Sequence, residues 1–474
     1  MEQPPPLMVS HLLADNQLFE VTLTESVLSW QSLRPRKLLS AAGAGSYSVP
    51  VVEIVAVCET EVDAINKESG RWQKMPSFST ELILHAFTVS YVQRSKGHHW
   101  WCNEVTFNCN DHLLRNQWVQ ALKEQLELQA MRPKHLIVFI NPFGGKRRGK
   151  QIYDDKVAPL FRLACISAEV IGSTDCICYA TVGVNDPVTS ALHIIIGDSQ
   201  AIDVSSVHHK NMFLMYSVSL LGYGFYGDTL MDSEKNRWMG PSRYDFSGFK
   251  TFLSHHCYEG TISYLPATET LGNPRDQAPC TAGCHICQYS GEQLKLTKKR
   301  KFKCIDDEEQ QQWKVIKGKF LAINSANMSC ACPKSPKGLS PAAHLADGTI
   351  DLILVRKCSR FSFLRHLIRH TNNDDQFDLA FVEVYRVKKF KFTPKYCDEK
   401  DTDIQDVGKN VFGQFCRDHP TCSCAQLYSN WNCDGELIEH AAIEVRVHCQ
   451  LLRLFVRGIE ELSTQKEIGN SFVV

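Results

Sequence analysis

The stretch from His135 to Lys150 most constrains what this chain can fold into, because glycines there separate an apolar segment from a helical pattern. Residues 135–140 are mostly apolar and β-branched, which predicts a buried strand. The interruption that follows consists of Asn141, Pro142, Phe143, Gly144 and Gly145. A strand, a glycine loop and a helix together point free backbone N–H groups at an anion. The stretch therefore predicts a phosphate-binding loop or, alternatively, a tight turn beside a solvated basic cluster, because two adjacent glycines are a weak signal.

The length and composition of the chain limit its class. Its 474 residues are enough for about three domains. The formal net charge is zero, so no bulk field attracts nucleic acid, and we expect no nucleic-acid partner. No apolar run reaches the length of a membrane span, and the first residues lack the pattern of a signal peptide. We therefore expect a cytoplasmic protein whose 20 cysteines are thiols or metal ligands rather than disulfides.

Residues 1–128 alternate in the manner of β-strands and end in one helix. The helical face repeats at Leu114, Trp118, Leu122 and Leu126, with Asn110 or Asp111 as its cap. Several strands closed by a helix with an inward tryptophan resemble a pleckstrin-homology domain. The resemblance implies a phosphoinositide-containing membrane surface as partner, bound through the basic loop 94–99 that precedes Trp100 and Trp101. The alternative is a solvated hairpin tip over core tryptophans.

The rest of the chain divides into two lobes and a tail. Residues 129–205 predict a truncated Rossmann-like α/β lobe, with a helix from Pro187 and a strand near residues 201–204. Residues 206–460 carry many short strand patterns, which predict a β-sandwich lobe, and residues 461–474 form a tail. The predicted fold class is thus α/β plus all-β, behind an N-terminal pleckstrin-homology-like domain.

Four motifs in order form a more specific set. They are Asn141-Pro-Phe-Gly-Gly145, Gly172-Ser173-Thr174, the pair Arg237 and Arg243, and Asp434-Gly435-Glu436. This set resembles the diacylglycerol and sphingosine kinase-like lipid kinases. The N-terminal domain, residues 220–228 and 245–260, and a cysteine motif narrow the resemblance to the ceramide-phosphorylating branch. That branch implies ATP-dependent phosphorylation of the ceramide primary hydroxyl to ceramide 1-phosphate with Mg²⁺, by a peripheral protein of Golgi and plasma membranes.

The resemblance also implies roles for individual residues. The two glycine loops would line the nucleotide cleft, and Arg237 and Arg243 would bind the ATP phosphates, a task that planar guanidinium groups suit. Asp434 and Glu436 would lie near the nucleotide and Mg²⁺, which prefers oxygen ligands. Asp228 would lie near the lipid headgroup.

The chain departs from the family at one motif. The family has a Gly-Gly-Asp-Gly sequence whose aspartate accepts the proton of the lipid hydroxyl, and this chain contains no such sequence. We therefore predict no catalytic residue. Our interpretation is a splice-like deletion between Val170 and Gly172 of two βα units, roughly 30 residues each, with residues 167–171 substituting for a missing strand. We expect little or no kinase activity and reduced stability; the alternative function is a catalytically inactive isoform that binds membrane lipid or regulates other proteins.

Cys280, Cys284 and Cys287 have a spacing compatible with a metal site. The fourth ligand would be Cys304, Cys330 or Cys332. The alternative, which we favour at this point, is a thiol cluster needed only for shape.

Residues 359–370 form a basic amphipathic pattern. Such a helix can bind calmodulin or a membrane surface. The alternative that we favour is a surface helix that packs Phe361, Leu364 and Ile368 on the sandwich.

Overall fold

The computed structural model describes most of the chain. It covers residues 5–33, 46–60, 85–138, 148–170, 181–267, 272–300, 312–372, 374–395 and 428–460. The two glycine loops, residues 141–145 and 172–174, lie outside the described residues, as does Cys304.

The N-terminal domain is a seven-stranded antiparallel sheet followed by one helix. Its strands are β1 (Met8–Ala14), β2 (Gln17–Leu23), β3 (Val27–Ser32), β4 (Ser46–Pro50), β5 (Ile54–Thr60), β6 (His85–Arg94) and β7 (Trp100–Cys109). They pair in the order β4-β3-β2-β1-β7-β6-β5. Helix α1 (His112–Glu127) is capped by Asp111, whose side chain accepts from the Leu114 N–H. Trp118 on this helix is 0% exposed, so the predicted inward tryptophan is confirmed.

A short α/β segment follows. Strand β8 (His135–Val138) pairs in parallel with β9 (Ser167–Val170). Between them lie α2 (Gly149–Ile152), a π-helical turn (Tyr153–Val157) and α3 (Ala158–Leu163), and after them α4 (Pro187–Ile196). Within the described residues this parallel sheet has two strands, as expected for a shortened lobe.

The N-terminal domain covers the apolar face of helix α4. Ala191, Leu192 and Ile195 pack in one buried cluster with Val55 and Trp100 of the N-terminal domain. Burial of apolar side chains is the main favourable term in folding. The apolar face of α4 is therefore covered despite the shortened α/β segment.

The C-terminal lobe is built on a ten-stranded antiparallel sheet, which confirms the predicted β-rich lobe. Its strands are β10 (Gln200–His209), β11 (Met212–Ser217), β12 (Leu220–Gly224), β13 (Tyr258–Pro266), β14 (Lys314–Ala326), β15 (Ile350–Arg356), β16 (Val382–Pro394), β17 (Trp431–Cys433), β18 (Glu436–Ile438) and β19 (Ile443–Leu454). Strand β10 pairs with β11 and β19, so the segment near residues 201–204 lies in this sheet rather than in the α/β lobe. The structure thus places the start of the C-terminal lobe before the expected boundary at residues 205 and 206.

Four helices accompany the large sheet in the described residues: α5 (Phe225–Lys235), α6 (Arg243–Ser254), α7 (His285–Arg300) and α8 (Arg360–Arg369). A 3₁₀ segment, Arg237–Ser242, joins α5 to α6. The sequence analysis did not predict α5 and α6, because the glycines of residues 222–227 resemble a loop. Among the described residues, no helix has the length and apolarity needed to span a bilayer.

Candidate functional site

Asp228 lies in the first turn of α5 and is buried. Its carboxylate accepts hydrogen bonds from the Tyr258 hydroxyl at 2.6 Å and from the Ser429 hydroxyl at 2.5 Å. Burial raises the pKa of Asp228, although the hydrogen bonds from Ser429 and Tyr258 oppose that rise. A carboxylate in such a network is held in one orientation.

A cavity of about 10 Å³ adjoins Asp228. Thr251 of α6, His255 directly after α6, and Phe363 of α8 contribute to its lining. A volume of that size holds about one water molecule, so in this conformation the cavity admits no larger ligand. Access to Asp228 by a headgroup would require α6 and α8 to separate.

Helices α6 and α8 contact each other beside this cavity. Phe252 stacks on Phe363 with ring centroids 6.2 Å apart, and Arg360 donates to the Leu253 carbonyl at 3.0 Å. Both helices keep further apolar side chains on their outer faces. We call these exposed side chains and the neighbouring tryptophan the apolar patch, which comprises Trp238, Tyr244, Phe246, Phe249, Leu253, Phe361, Leu364 and Ile368.

The favoured interpretation of α8, that it packs Phe361, Leu364 and Ile368 on the sandwich, is wrong. Phe361 is 86% exposed, and Leu364 and Ile368 are exposed as well, so none of the three packs on the sheet. Phe363 is the buried aromatic residue of the helix instead. The exposed Arg360 and Arg365 add positive charge beside the patch. A wide apolar surface on a monomer usually marks a site of contact with protein or membrane.

Arg237 and Arg243 meet at one carboxylate. Arg237 Nε donates to Glu234 at 2.6 Å, and Arg243 Nη1 lies 3.1 Å from the same side chain. The Arg243 guanidinium also lies 4.6 Å from the Tyr244 ring centroid. Two guanidinium groups held together in this way form a positive site that a phosphate could join.

Asp434 lies in the turn between β17 and β18, with φ 48°. Its carboxylate accepts from the backbone N–H groups of Val218 at 2.6 Å, Ser219 at 3.1 Å and Leu220 at 2.7 Å. The Ser219 hydroxyl donates as well, at 2.8 Å. Both carboxylate oxygens are therefore occupied by the turn that leads into β12. Glu436 is exposed.

We expect Asp434→Asn to lower the free energy of unfolding by about 2 kcal/mol, because charge-assisted hydrogen bonds are lost while the amide nitrogen faces backbone donors. Asparagine tolerates the positive φ, so backbone strain does not contribute. Chemical denaturation measures the change. Glu436→Gln, in the same turn, should change the value by less than about 0.5 kcal/mol. Equal effects for the two variants would contradict the role given to Asp434.

The structure brings together some of the residues expected at the site. Within the described part of the chain, neither arginine is hydrogen-bonded or ion-paired with Asp434 or Glu436. Sequence reasoning missed Glu234, Tyr258 and Ser429. Glu234 could have been found from its spacing to Arg237, since residues three apart on a helix are neighbours. No local signal marks the other two.

One basic residue of the N-terminal loop 94–99, Arg94, is engaged within the protein, whereas Lys96 is exposed. Arg94 donates to Glu53 at 2.7 and 2.8 Å, and to Glu460 near the end of the described chain at 2.7 Å. Trp100 is buried and stacks on His193 of α4 with ring centroids 3.8 Å apart. Trp101 is 53% exposed. Of the expected membrane-binding side chains in this stretch, Arg94 and Trp100 thus hold the N-terminal domain against its neighbours.

Comparison with known proteins identifies similar families and relatives. The family model for the ceramide kinase C-terminal domain matches residues 219–471, and that for the ceramide kinase PH domain matches residues 8–122. A ceramide kinase of Homo sapiens is 51% identical, over 91% of this chain and 92% of its own length. A ceramide kinase of Mus musculus is also 51% identical, over 92% of this chain and 94% of its own length. A solved structure of a putative diacylglycerol kinase from Bacillus anthracis has a TM-score of 0.39 at 10% identity, covering 68% of this chain and 97% of that chain.

Proposed function

Because this chain belongs to the ceramide kinase family, we propose that it binds ceramide-containing membranes through the apolar patch and has little or no kinase activity. The observation that carries this proposal is that α6 and α8, which bear most of the patch, also contribute Thr251 and Phe363 to the lining of the cavity beside Asp228. Ceramide is a membrane lipid, so a protein that takes its headgroup must contact the bilayer surface. Aromatic and aliphatic side chains flanked by arginines suit that interface.

The phosphate side of the proposed site fits ATP in part. The arginine pair at Glu234 suits the phosphate groups of a nucleotide. Both carboxylates of that motif, Asp434 and Glu436, are exposed to solvent. Asp434 is the less suitable direct ligand of Mg²⁺, because its Oδ1 accepts from Ser219 and Leu220 and its Oδ2 accepts from the Val218 N–H. ATP and Mg²⁺ are therefore proposed cofactors of the family site, with Glu436 the better candidate ligand.

The proposed loss of activity rests on the missing Gly-Gly-Asp-Gly sequence. The alignment with the human relative spans 503 positions, which exceeds the 474 residues of this chain. The human protein therefore contains residues without a counterpart here, which supports the proposed deletion. A positioned general base contributes roughly 10²–10⁴-fold to rate, so its loss would leave little phosphate transfer.

Two assays on the purified full chain test the proposal. In vesicle flotation with ceramide in a partly anionic bilayer, we expect binding that falls about tenfold in Phe361→Glu or Phe249→Glu, since each removes a buried aromatic contact with lipid. The matched control is Phe213→Glu, at an exposed phenylalanine of β11. In a radiolabelled phosphate-transfer assay with ATP and Mg²⁺, we expect no ceramide 1-phosphate above background.

The outcomes separate the alternatives. Phosphate transfer to ceramide at the rate of the human relative would contradict the proposed inactivity and show that the chain is an active ceramide kinase. Equal vesicle binding by the patch variants and the control would exclude the patch as the membrane contact. A third outcome is that the chain does not bind vesicles but binds calcium-loaded calmodulin. If Phe361→Glu abolishes that binding, α8 is a calmodulin target instead.

A further inference from the structure

Four potential metal ligands converge at one point of the C-terminal lobe. They are Cys280, Cys284, Cys287 and His344, and their ligand atoms all lie within 4.8 Å of one another. Cys284 directly precedes α7 and Cys287 lies in its first turn. His344 lies 60 residues beyond Cys284 in sequence, so the fourth position is filled by a residue that the cysteine spacing did not indicate.

The distances between these atoms match those of a tetrahedral site. The sulfur atoms of Cys280 and Cys287 are 3.7 Å apart, and Cys284 Sγ lies 3.4 Å from His344 Nδ1. With zinc–sulfur bonds of about 2.3 Å and zinc–nitrogen bonds of about 2.0 Å, tetrahedral edges come to about 3.8 Å and 3.5 Å. Both observed separations lie close to these edges.

Two of the other cysteines considered as fourth ligand, Cys330 and Cys332, do not belong to this group of four; Cys304 lies outside the described residues. Cys330 is directed at the carbonyls of Ser219 and Met328, and Cys332 is exposed. His285, between the cysteines in sequence, is also exposed.

The segments that carry the ligands are fixed by contacts of their own. The Gln450 amide donates to the carbonyl of Cys287 and to that of Ala346, both at 3.0 Å, and so links α7 to the segment of His344. Arg386 donates to the Ala342 carbonyl at 2.5 Å. A preorganised set of ligands binds metal without the cost of ordering the chain.

His344 also has a candidate partner for its second ring nitrogen. His344 Nε2 and Asp347 Oδ2 are both buried and have no hydrogen-bond partner among the described residues. A metal-bound histidine usually donates its other N–H to a carboxylate or a carbonyl. Asp347, three residues further along the chain, is the candidate for that carboxylate, since both atoms are buried and lack another partner among the described residues.

We propose that Cys280, Cys284, Cys287 and His344 bind one Zn²⁺ ion. Three cysteines and one histidine are a ligand set typical of structural zinc. All four positions are filled by protein, and Cys280, Cys287 and His344 are buried, so the ion has no open position for substrate. The ion fastens the start of α7 to the segment of His344, whether or not the chain transfers phosphate.

Metal analysis of the purified full chain tests this site. We expect about one equivalent of zinc per chain, falling below about half an equivalent in Cys284→Ser and His344→Ala. Cys332→Ser, at an exposed cysteine outside the cluster, should keep its zinc. His344→Cys should also keep it, because a fourth thiolate replaces the imidazole. Cobalt substitution should give the visible absorption bands of a tetrahedral thiolate site in the wild type and in His344→Cys.

Two results would overturn the proposal. One is wild-type protein with a folded circular dichroism spectrum and less than about half an equivalent of zinc after purification with zinc present. The other is full retention of zinc by the double variant Cys284→Ser/His344→Ala. If the single variants do not fold, the zinc content and cobalt spectrum of the wild type decide the question.

Discussion

Replacing Trp100 with alanine is expected to lower the free energy of unfolding by about 3–5 kcal/mol, the usual effect of removing a large buried aromatic side chain. Trp100 is buried between the N-terminal domain and α4, where it stacks on His193. The guanidinium groups of Arg94 and Arg457 lie 4.9 and 5.5 Å from its ring centroid. The substitution therefore leaves a cavity and removes two cation–π contacts.

The control for Trp100→Ala is Trp101→Ala, its neighbour in sequence. Trp101 is exposed, so its removal should change stability by no more than about 0.5 kcal/mol. Thermal unfolding followed by scanning fluorimetry compares the two variants, and hydrogen exchange in α4 shows whether the loss is local to this interface. Similar melting temperatures for the two variants would show that Trp100 does not hold the domains together.

Replacing Arg386 with methionine is expected to lower the free energy of unfolding by about 3–5 kcal/mol, because it leaves a buried carboxylate without its charge partner. Arg386 donates to Asp351 at 2.9 and 3.1 Å, and both side chains are almost fully buried. Ser340 donates to the same carboxylate at 2.7 Å, but a hydroxyl cannot neutralise its charge.

The matched control is Arg356→Met, which breaks the partly exposed pair of Arg356 and Glu383 on the same two strands. Solvent screens that pair, so we expect a loss of about 1 kcal/mol or less. Chemical denaturation gives the two values, and hydrogen exchange in β15 and β16 locates the change. Equal decreases in the free energy of unfolding would mean that burial does not strengthen the contribution of the Arg386–Asp351 pair to stability.

Local patterns predicted some of the individual elements, among them α1 and β9. The repeat of Leu114, Trp118 and Leu122 and the capping residue Asp111 specified α1, since both signals act within one helix. Residues 167–171 are predicted to substitute for a missing strand, and residues 167–170 do form a strand, β9, which pairs with β8. Such features depend on neighbours in sequence and are readable without the fold.

Contacts between distant segments were less accessible. The burial of Trp100 depends on α4, almost ninety positions away in sequence. From sequence alone, a basic loop followed by tryptophans indicates a membrane-binding loop as well as it indicates a buried one. The exposure of Phe361 was missed because helical periodicity shows that a face is apolar but not what covers it. His344 was missed for a similar reason. It comes from a segment far from the three cysteines in sequence, so no spacing between ligands could indicate it.

The interface that Trp100 occupies bears on how the N-terminal domain can be studied. Val55 and Val92 from that domain share one buried cluster with Ile195 and Phe161 of the following segment. A truncation ahead of β8 would expose these apolar side chains to solvent on both fragments, and each fragment would tend to aggregate. The N-terminal domain is therefore not free to rotate relative to the α/β segment, so a partner that orients the domain also orients that segment.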